Sequence, residues 1–489
     1  MTGALAKKVR LDAIRAVGWK PWLSPRMTLS AMALCVVAVA ILGSVAAGPL
    51  LILGALLGIV VVVVIGFYAE TVLLTVLLLR PILATIPEFS IAGQQIGIDG
   101  MINWVVLASF IFVAPLRRGI PWRNPTIWMA IPFLAVMLVS LRLSTDPVFG
   151  FRQWVRFLGY FVFLWIAYTA IRQPGFLDRF RKAVVGVAVI LIGLGALQMA
   201  LFLREFSLAQ YITLMFDAGL ENRLNGFQDY PHTYGRALLV CLPVILWSAW
   251  RADRSKLKLA YYALFAVMSM AIVYTGVRSL LIGLSVALVL MLVGTRRYGM
   301  LFFFGTLFVA LGFASGVFQA RFSAFTDPQR ALEWNSLVDR QEIWNVIDLA
   351  IVERPVRGYG LGSVYNYVSN SPLRHSSALL TAHCDYRKFL FEGGIFGGLF
   401  FFGIYLSVLM QCWFWPKSQH LAKDLARCLA GVIAGIMVMS IVEEGFQDYL
   451  SMSILWSMVG VVLGIRYSPV PQQETTDFAV SLPDRSPNA

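Results

Sequence analysis

Apolar runs of about sixteen to twenty-eight residues alternate with short polar breaks along most of the 489-residue chain. They fall near 27–46, 49–68, 70–87, 101–116, 125–143, 153–171, 183–203, 233–250, 259–276, 279–294, 300–320, 386–413, 427–446 and 448–466. A ~30 Å hydrocarbon core takes ~20 apolar residues as helix, so the pattern predicts about 12–14 transmembrane helices. One interruption is of another kind. From Arg321 the chain stays polar for about sixty residues. Within it Ser336 can cap a helix running to Arg354, with Asp339 three residues on and Ile343, Ile347 and Ile351 on one face. Pro355 stops that helix, and Arg357-Gly-Tyr-Gly-Leu-Gly362 makes a tight turn. The run closes on Thr381-Ala-His383-Cys-Asp385-Tyr-Arg387-Lys388 and opens into the apolar segment from Phe389. The expected fold is all-α: a polytopic integral membrane protein with one large extracytoplasmic loop. Its parts are a basic N-terminus (1–26), eleven helices (27–320), the loop (321–385), three more helices (386–466) and a polar, Pro-containing tail (467–489) expected to be disordered.

Composition agrees, with 59% hydrophobic and only 13% charged residues. The net charge of +14 does not signal nucleic acid, because the cations sit in short clusters between apolar runs. Those clusters orient the chain. Segments 1–26, 117–124, 172–182, 251–258, 295–299 and 414–427 hold 22 Lys and Arg, whereas 88–100, 144–151 and 204–232 hold only Arg204 and Arg223. The positive-inside rule puts both termini in the cytoplasm and 321–382 outside. Residues 27–47 read as a retained first span rather than a signal peptide. The five cysteines show no paired spacing, so neither a disulfide framework nor a zinc site is expected.

Eight cations then break the rule. Arg80, Arg142, Arg152, Arg156, Arg236, Arg278, Arg387 and Lys388 all fall in the outer half, or at the outer end, of a span. Any one of them can reach headgroups or pair with a carboxylate such as Glu443, Glu444 or Asp448. Eight together suggest an anionic ligand at that depth, and guanidinium forks suit phosphate oxygens. A lipid pyrophosphate fits, with its headgroup outside and its chain between helices. His383, beside cations at a span mouth, is expected to stay neutral and accept a proton. His232 is expected to be a capping or interfacial residue. The turn Gly358–Gly362 lacks a following Gly-Lys-Ser/Thr and is read as structural.

These residues resemble the O-antigen ligase and O-antigen polymerase superfamily of bacterial envelope glycosyltransferases. Arg223-Leu-Asn-Gly226 with Pro231-His232 and Gly235 is similar to its Arg-x-x-Gly…Pro-Asn loop, and Thr275-Gly-Val-Arg278-Ser279 to its Gly-Ser-Arg-Ser turn. Arg340…Trp344 with Pro355 and Gly358-x-Gly360 resembles the start of its periplasmic loop. Ala382-His383 with Phe391-Glu-Gly-Gly394 resembles the Ala-His-Asn…Leu-x-Glu-x-Gly pattern at that loop's end. The matches span about 223–396. Val277, Cys384 and His232 depart from the pattern.

The resemblance implies a GT-C-like helical fold in the bacterial inner membrane, with its active site facing the periplasm. It implies a metal-independent, inverting transfer of a glycan from undecaprenyl pyrophosphate to an acceptor hydroxyl, with no cofactor. Arginines at Arg223 and Arg278 would hold the pyrophosphate, joined in the expected donor set by Arg236, Arg340 and Arg387, and His383 would assist the acceptor. The chain's length and extra spans favour a polymerase of O-antigen or exopolysaccharide repeat units over a ligase onto lipid A-core. A flippase and a chain-length regulator are the expected protein partners. A transporter of lipid-linked glycans also explains the arginines, but leaves His383 and the outer loop without a task.

Overall fold

The computed structural model describes residues 68–85, 89–91, 94–96, 124–205, 223–228, 230–314, 336–371, 381–416 and 420–467. The expected spans near 27–46, 49–68 and 101–116, the basic N-terminus and the polar tail lie outside the described residues. The chain divides into two compact units, residues 1–72 with 104–120 and residues 73–103 with 121–489. Every contact below belongs to the second.

Among the described residues the protein is helical apart from one antiparallel hairpin, β1 (Phe89–Ile91) and β2 (Gln94–Ile96), with Phe89 opposite Ile96. The helices are α1 (Ala69–Leu83), α2 (Pro125–Ser140), α3 (Pro147–Ala170), α4 (Phe176–Glu205), α5 (Pro231–Arg251), α6 (Ser255–Tyr274), α7 (Arg278–Gly294), α8 (Tyr298–Ala314), α9 (Ser336–Glu353), α10 (Val364–Ser369), α11 (Asp385–Trp413), α12 (His420–Met439) and α13 (Tyr449–Tyr467). Their starts obey local chemistry. Proline occupies the first turn of α2, α3 and α5, where its missing N–H costs nothing. The Asn124 side chain accepts from the Thr126 N–H, and Asp146 from the Phe149 N–H.

Six described helices are long and apolar enough to cross a membrane: α2 with its 3₁₀ extension to Leu143, α4, α5, α6, α11 and α13. This is a multi-pass membrane protein. The apolar windows of α5 and α13 are 89% buried, against 28–39% for the other four. Hence α5 and α13 form the interior and the others turn much of their surface to lipid. Close helix pairs are made by small residues. Gly460 and Gly464 of α13 meet Leu164, Ala167 and Tyr168 of α3, and Gly431 and Gly435 of α12 meet Gly283, Ala287 and Met291 of α7.

One expected span ends early. The apolar run 427–446 predicts continuous helix, but α12 stops at Met439 and residues 440–448 form a loop. The cause is Asp385, fully buried at the start of α11. Its carboxylate accepts from the Ser440 hydroxyl (2.9 Å) and from the backbone N–H groups of Gly445 (2.9 Å) and Phe446 (3.3 Å). Phe446 is thereby set among Phe157 and Phe401 (ring centroids 5.1 Å each), Tyr160 (5.5 Å) and Phe389 (5.7 Å). The loop is anchored at both its backbone and its side chain.

The polar loop behaves as its sequence predicts where it is described. α9 ends one residue before Arg354, and Ile343, Ile347 and Ala350 pack with Tyr359, Val368 and Phe391. The glycine turn docks on α11. At Gly394, with φ +63°, α11 departs from helical geometry, and the carbonyls of Phe391 and Glu392 accept from the N–H groups of Tyr359 (2.8 Å) and Gly360 (3.0 Å). Gly360 (φ +95°) lies against the backbone of Leu143 and Ser144, where a side chain has no room.

Candidate active site

The site is built where the N-terminal ends of α5, α7, α11 and α13 meet the 440–448 loop. His383 is the second-last residue of the polar run before α11 starts at Asp385. Its φ is +46°, a left-handed conformation that costs a non-glycine residue free energy unless the surroundings impose it. Here Glu444 imposes it, one carboxylate oxygen accepting the His383 backbone N–H at 2.9 Å. The other oxygen accepts from Lys388 Nζ (3.2 Å) and Gln447 Nε2 (2.8 Å). Burial pushes the imidazole pKa of His383 below its ordinary value; Arg340 adds to that, while Glu444 and Glu443 oppose it. The sequence led us to expect Arg387 and Lys388 as the depressing neighbours. Instead both are paired, Lys388 with Glu444 and Arg387 with Asp348.

The arginines converge in two groups. Arg223 and Arg278 lie within electrostatic reach of each other; burial first, then the charge of Arg278, lowers the pKa of Arg223. The Arg223 loop is held from α4, where Gln198 Oε1 accepts from the N–H groups of Asn225 (3.0 Å) and Gly226 (2.8 Å) and its amide donates to the Arg223 carbonyl (3.2 Å). The second group is Arg236 and Arg340. Arg236, 1% exposed, donates from Nη1 to the Gly445 carbonyl (3.3 Å) and Asp448 (3.5 Å). Arg340 donates to the Val442 carbonyl (2.7 Å) and Glu443 (3.5 Å). Glu443 also accepts from Ser279, the residue after Arg278. The two groups therefore share one acidic loop. Among the described residues, buried Arg223 Nε, Arg236 Nη2 and Arg340 Nε have no hydrogen-bond partner.

With the geometry in place, the comparisons are specific. Residues 263–402 match the O-antigen ligase family model. The resemblance read from the motifs is thus shown over a segment that holds Arg278, Arg340, His383, Arg387 and the polar loop. Arg223 and Arg236 precede the matched segment, and the 440–448 loop follows it. The match supports a membrane glycosyltransferase of the O-antigen ligase and polymerase type. A search of curated proteins finds no match to the chain.

Other expected residues take distinct places in the structure. Arg387 is spoken for: its fork lies on Asp348 (2.9 and 3.3 Å) and its guanidinium over Trp344 (4.4 Å), whose indole N–H reaches the Ala382 carbonyl (2.9 Å). It ties α9 to the residue before His383. His232, expected as a capping or interfacial residue, stacks on Tyr230 (5.2 Å) and sits within electrostatic reach of Arg236, Glu443, His383 and Arg340. Arg80 is fully buried over Phe163 and Tyr449, and Arg156 also lies over Tyr449 (4.5 Å). Arg142 is exposed. Cys384, where the family pattern has Asn, caps α11 with its sulfur facing the Arg387 N–H (3.5 Å). Sequence reasoning missed Asp385 and Gln198. For Gln198 the signal was there, an amide embedded in apolar sequence; Asp385 sits in the polar run ahead of Phe389 and carried no such signal.

Proposed function

We propose that this protein transfers a glycan from undecaprenyl pyrophosphate to a hydroxyl of an acceptor glycan, at the periplasmic face of the inner membrane. The observation that carries the reading is His383, strained and clamped by Glu444 beside Arg223, Arg236 and Arg340, each with a buried N–H group that has no partner among the described residues. Arg223, Arg278, Arg236 and Arg340 take the pyrophosphate. An anion between Arg223 and Arg278 turns a mutual repulsion into two attractions, and the N-termini of α5 and α7 add partial positive charge. The neutral His383 ring removes the acceptor proton. The freed oxygen attacks the anomeric carbon from the face opposite the pyrophosphate, and the bond to the departing phosphate oxygen breaks with its electron pair. Inversion follows, and the arginines meet the developing charge, so the step calls for no metal. Arg387 acts at one remove, positioning Ala382 and hence His383.

The length of the chain and its spans outside 263–402 favour polymerisation of repeat units. The test is a purified enzyme given undecaprenyl-pyrophosphate oligosaccharide in EDTA. Release of undecaprenyl pyrophosphate with stepwise chain growth is expected. Transfer only to added lipid A-core identifies a ligase, and absence of release from the donor removes the glycosyltransferase reading.

A further inference from the structure

Beside His383 lies a cavity of about 240 Å³ that the donor arginines do not line. Its walls come from α3, the glycine turn, α10, α11 and the 440–448 loop. Two of its wall residues are Thr381, two positions before His383, and Glu444, which clamps His383. At ~30 Å³ per water, it holds about eight waters. It is smaller than the ~300–1,000 Å³ sites that enclose drug-sized ligands, a size suited to one sugar ring.

The wall chemistry has a definite polarity. Glu392 is fully buried; one carboxylate oxygen accepts the Gly362 N–H (2.9 Å), and the other has no partner among the described residues. Gln153, 2% exposed, likewise has a side-chain oxygen without a partner. Lys388, one turn before Glu392 on α11, is already held by Glu444. Two residues that line the cavity thus each carry a buried acceptor with no donor among the described residues, a costly arrangement unless a ligand brings O–H groups. Phe149 and Tyr365 supply apolar wall against which the C–H face of a ring can rest. An anionic ligand is disfavoured by the Glu392 carboxylate. Polyhydroxyl donors on a compact, partly apolar, uncharged frame describe a neutral sugar.

We infer that this cavity is the acceptor subsite, which takes a neutral sugar ring whose hydroxyls donate to Glu392 Oε2 and Gln153 Oε1. The inference rests on the transfer reading for its role, but the binding it asserts is separable. Glu392→Gln keeps an acceptor for Gly362 and turns the free oxygen into a donor; Gln153→Leu deletes the second acceptor.

The test uses full-length protein in nanodiscs and, as probe, the neutral oligosaccharide released by mild acid from the producing cell's polyprenyl-linked pool. Saturation-transfer NMR reads probe binding, and co-purifying labelled donor lipid reads the arginine site. Wild type should bind the probe. Both variants should bind it at least about tenfold more weakly, with donor retention and monodispersity unchanged and the acceptor KM raised more than kcat is lowered. Undiminished probe binding in both variants overturns the subsite, as does loss confined to protein that has also lost donor and monodispersity. If the variants lose the probe while wild type transfers nothing, the subsite stands and the transfer reading falls.

Discussion

Two neighbourhoods border His383, and they differ in what their buried polar groups still lack. Around Arg223, Arg236, Arg278 and Arg340, Asp448 holds the Arg236 fork and Glu443 that of Arg340, yet among the described residues an N–H group each of Arg223, Arg236 and Arg340 has no acceptor. Around Glu392 and Gln153 the shortage is reversed, and among the described residues two oxygens stay without donors. A buried group left unsatisfied costs ~1–3 kcal/mol, so each shortage describes the ligand that removes it. The first asks for an oxygen-rich anion, the second for hydroxyls. Net charge alone would have missed this, because acids and bases are mixed on both sides. What separates them is leftover hydrogen-bonding capacity.

The change expected to erase both neighbourhoods together is Asp385→Ala. It strands the N–H groups of Gly445 and Phe446 and the Ser440 hydroxyl, and releases the loop carrying Glu443, Glu444 and Asp448. Thermal stability should fall by about 3 kcal/mol or more, with donor retention and transfer both lost. A variant of wild-type stability that still retains donor would disconnect the loop from the site.

Next come changes meant to break one neighbourhood only. Arg278→Lys keeps charge but loses the fork, so retained donor lipid should drop roughly 10- to 100-fold while saccharide binding persists. Arg223→Ala should behave alike. Equal loss of both ligands would mean that the two neighbourhoods are one.

The pH profile sharpens the boundary between them. The base is active when neutral, so activity falls as pH drops through the pKa of His383, which lies below its ordinary 6.5. Removing a cation raises that pKa and removing an anion lowers it. The acid limb should therefore move up in Arg340→Gln and down in Glu444→Gln, read from kcat/KM against pH. Identical limbs in all three proteins would detach the limb from His383.

The smallest effect belongs to Arg387→Ala. Its partner Asp348 is about half exposed, so the ion pair contributes only ~0.2–1 kcal/mol. Slight destabilisation with donor retention intact is expected, checked by a thermal shift and the co-purification assay. Loss of donor would return Arg387 to the pyrophosphate set.

How far the sequence could be read follows from which interactions are local. The helix start at Pro125, the stop at Pro355 and the turn at Gly358–Gly362 are written in neighbouring residues and were legible, whereas α3 starts at Pro147 and α5 at Pro231, inside the expected loops 144–151 and 204–232. Legible too was the presence of cations within and at the ends of apolar runs. Two things were not. Residues 440–448 look like span because they follow an apolar run, and only a carboxylate some sixty positions away, Asp385, unwinds them. The partners of Arg387 and Lys388 are likewise set by tertiary contact, so charge next to His383 in sequence was mistaken for charge next to it in space. Glu443, Glu444 and Asp448 within apolar sequence were the legible part: they were expected as partners for such cations, and Lys388 does pair with Glu444 and Arg236 with Asp448.

The central claim is that His383 removes the acceptor proton while the arginines hold the donor independently. A single-turnover measurement on enzyme pre-loaded with labelled undecaprenyl-pyrophosphate oligosaccharide, mixed with acceptor at pH 7.5, tests it most directly. His383→Gln should retain as much donor as wild type yet transfer it ~10²–10⁴-fold more slowly. Transfer by His383→Gln at the wild-type rate would contradict the account.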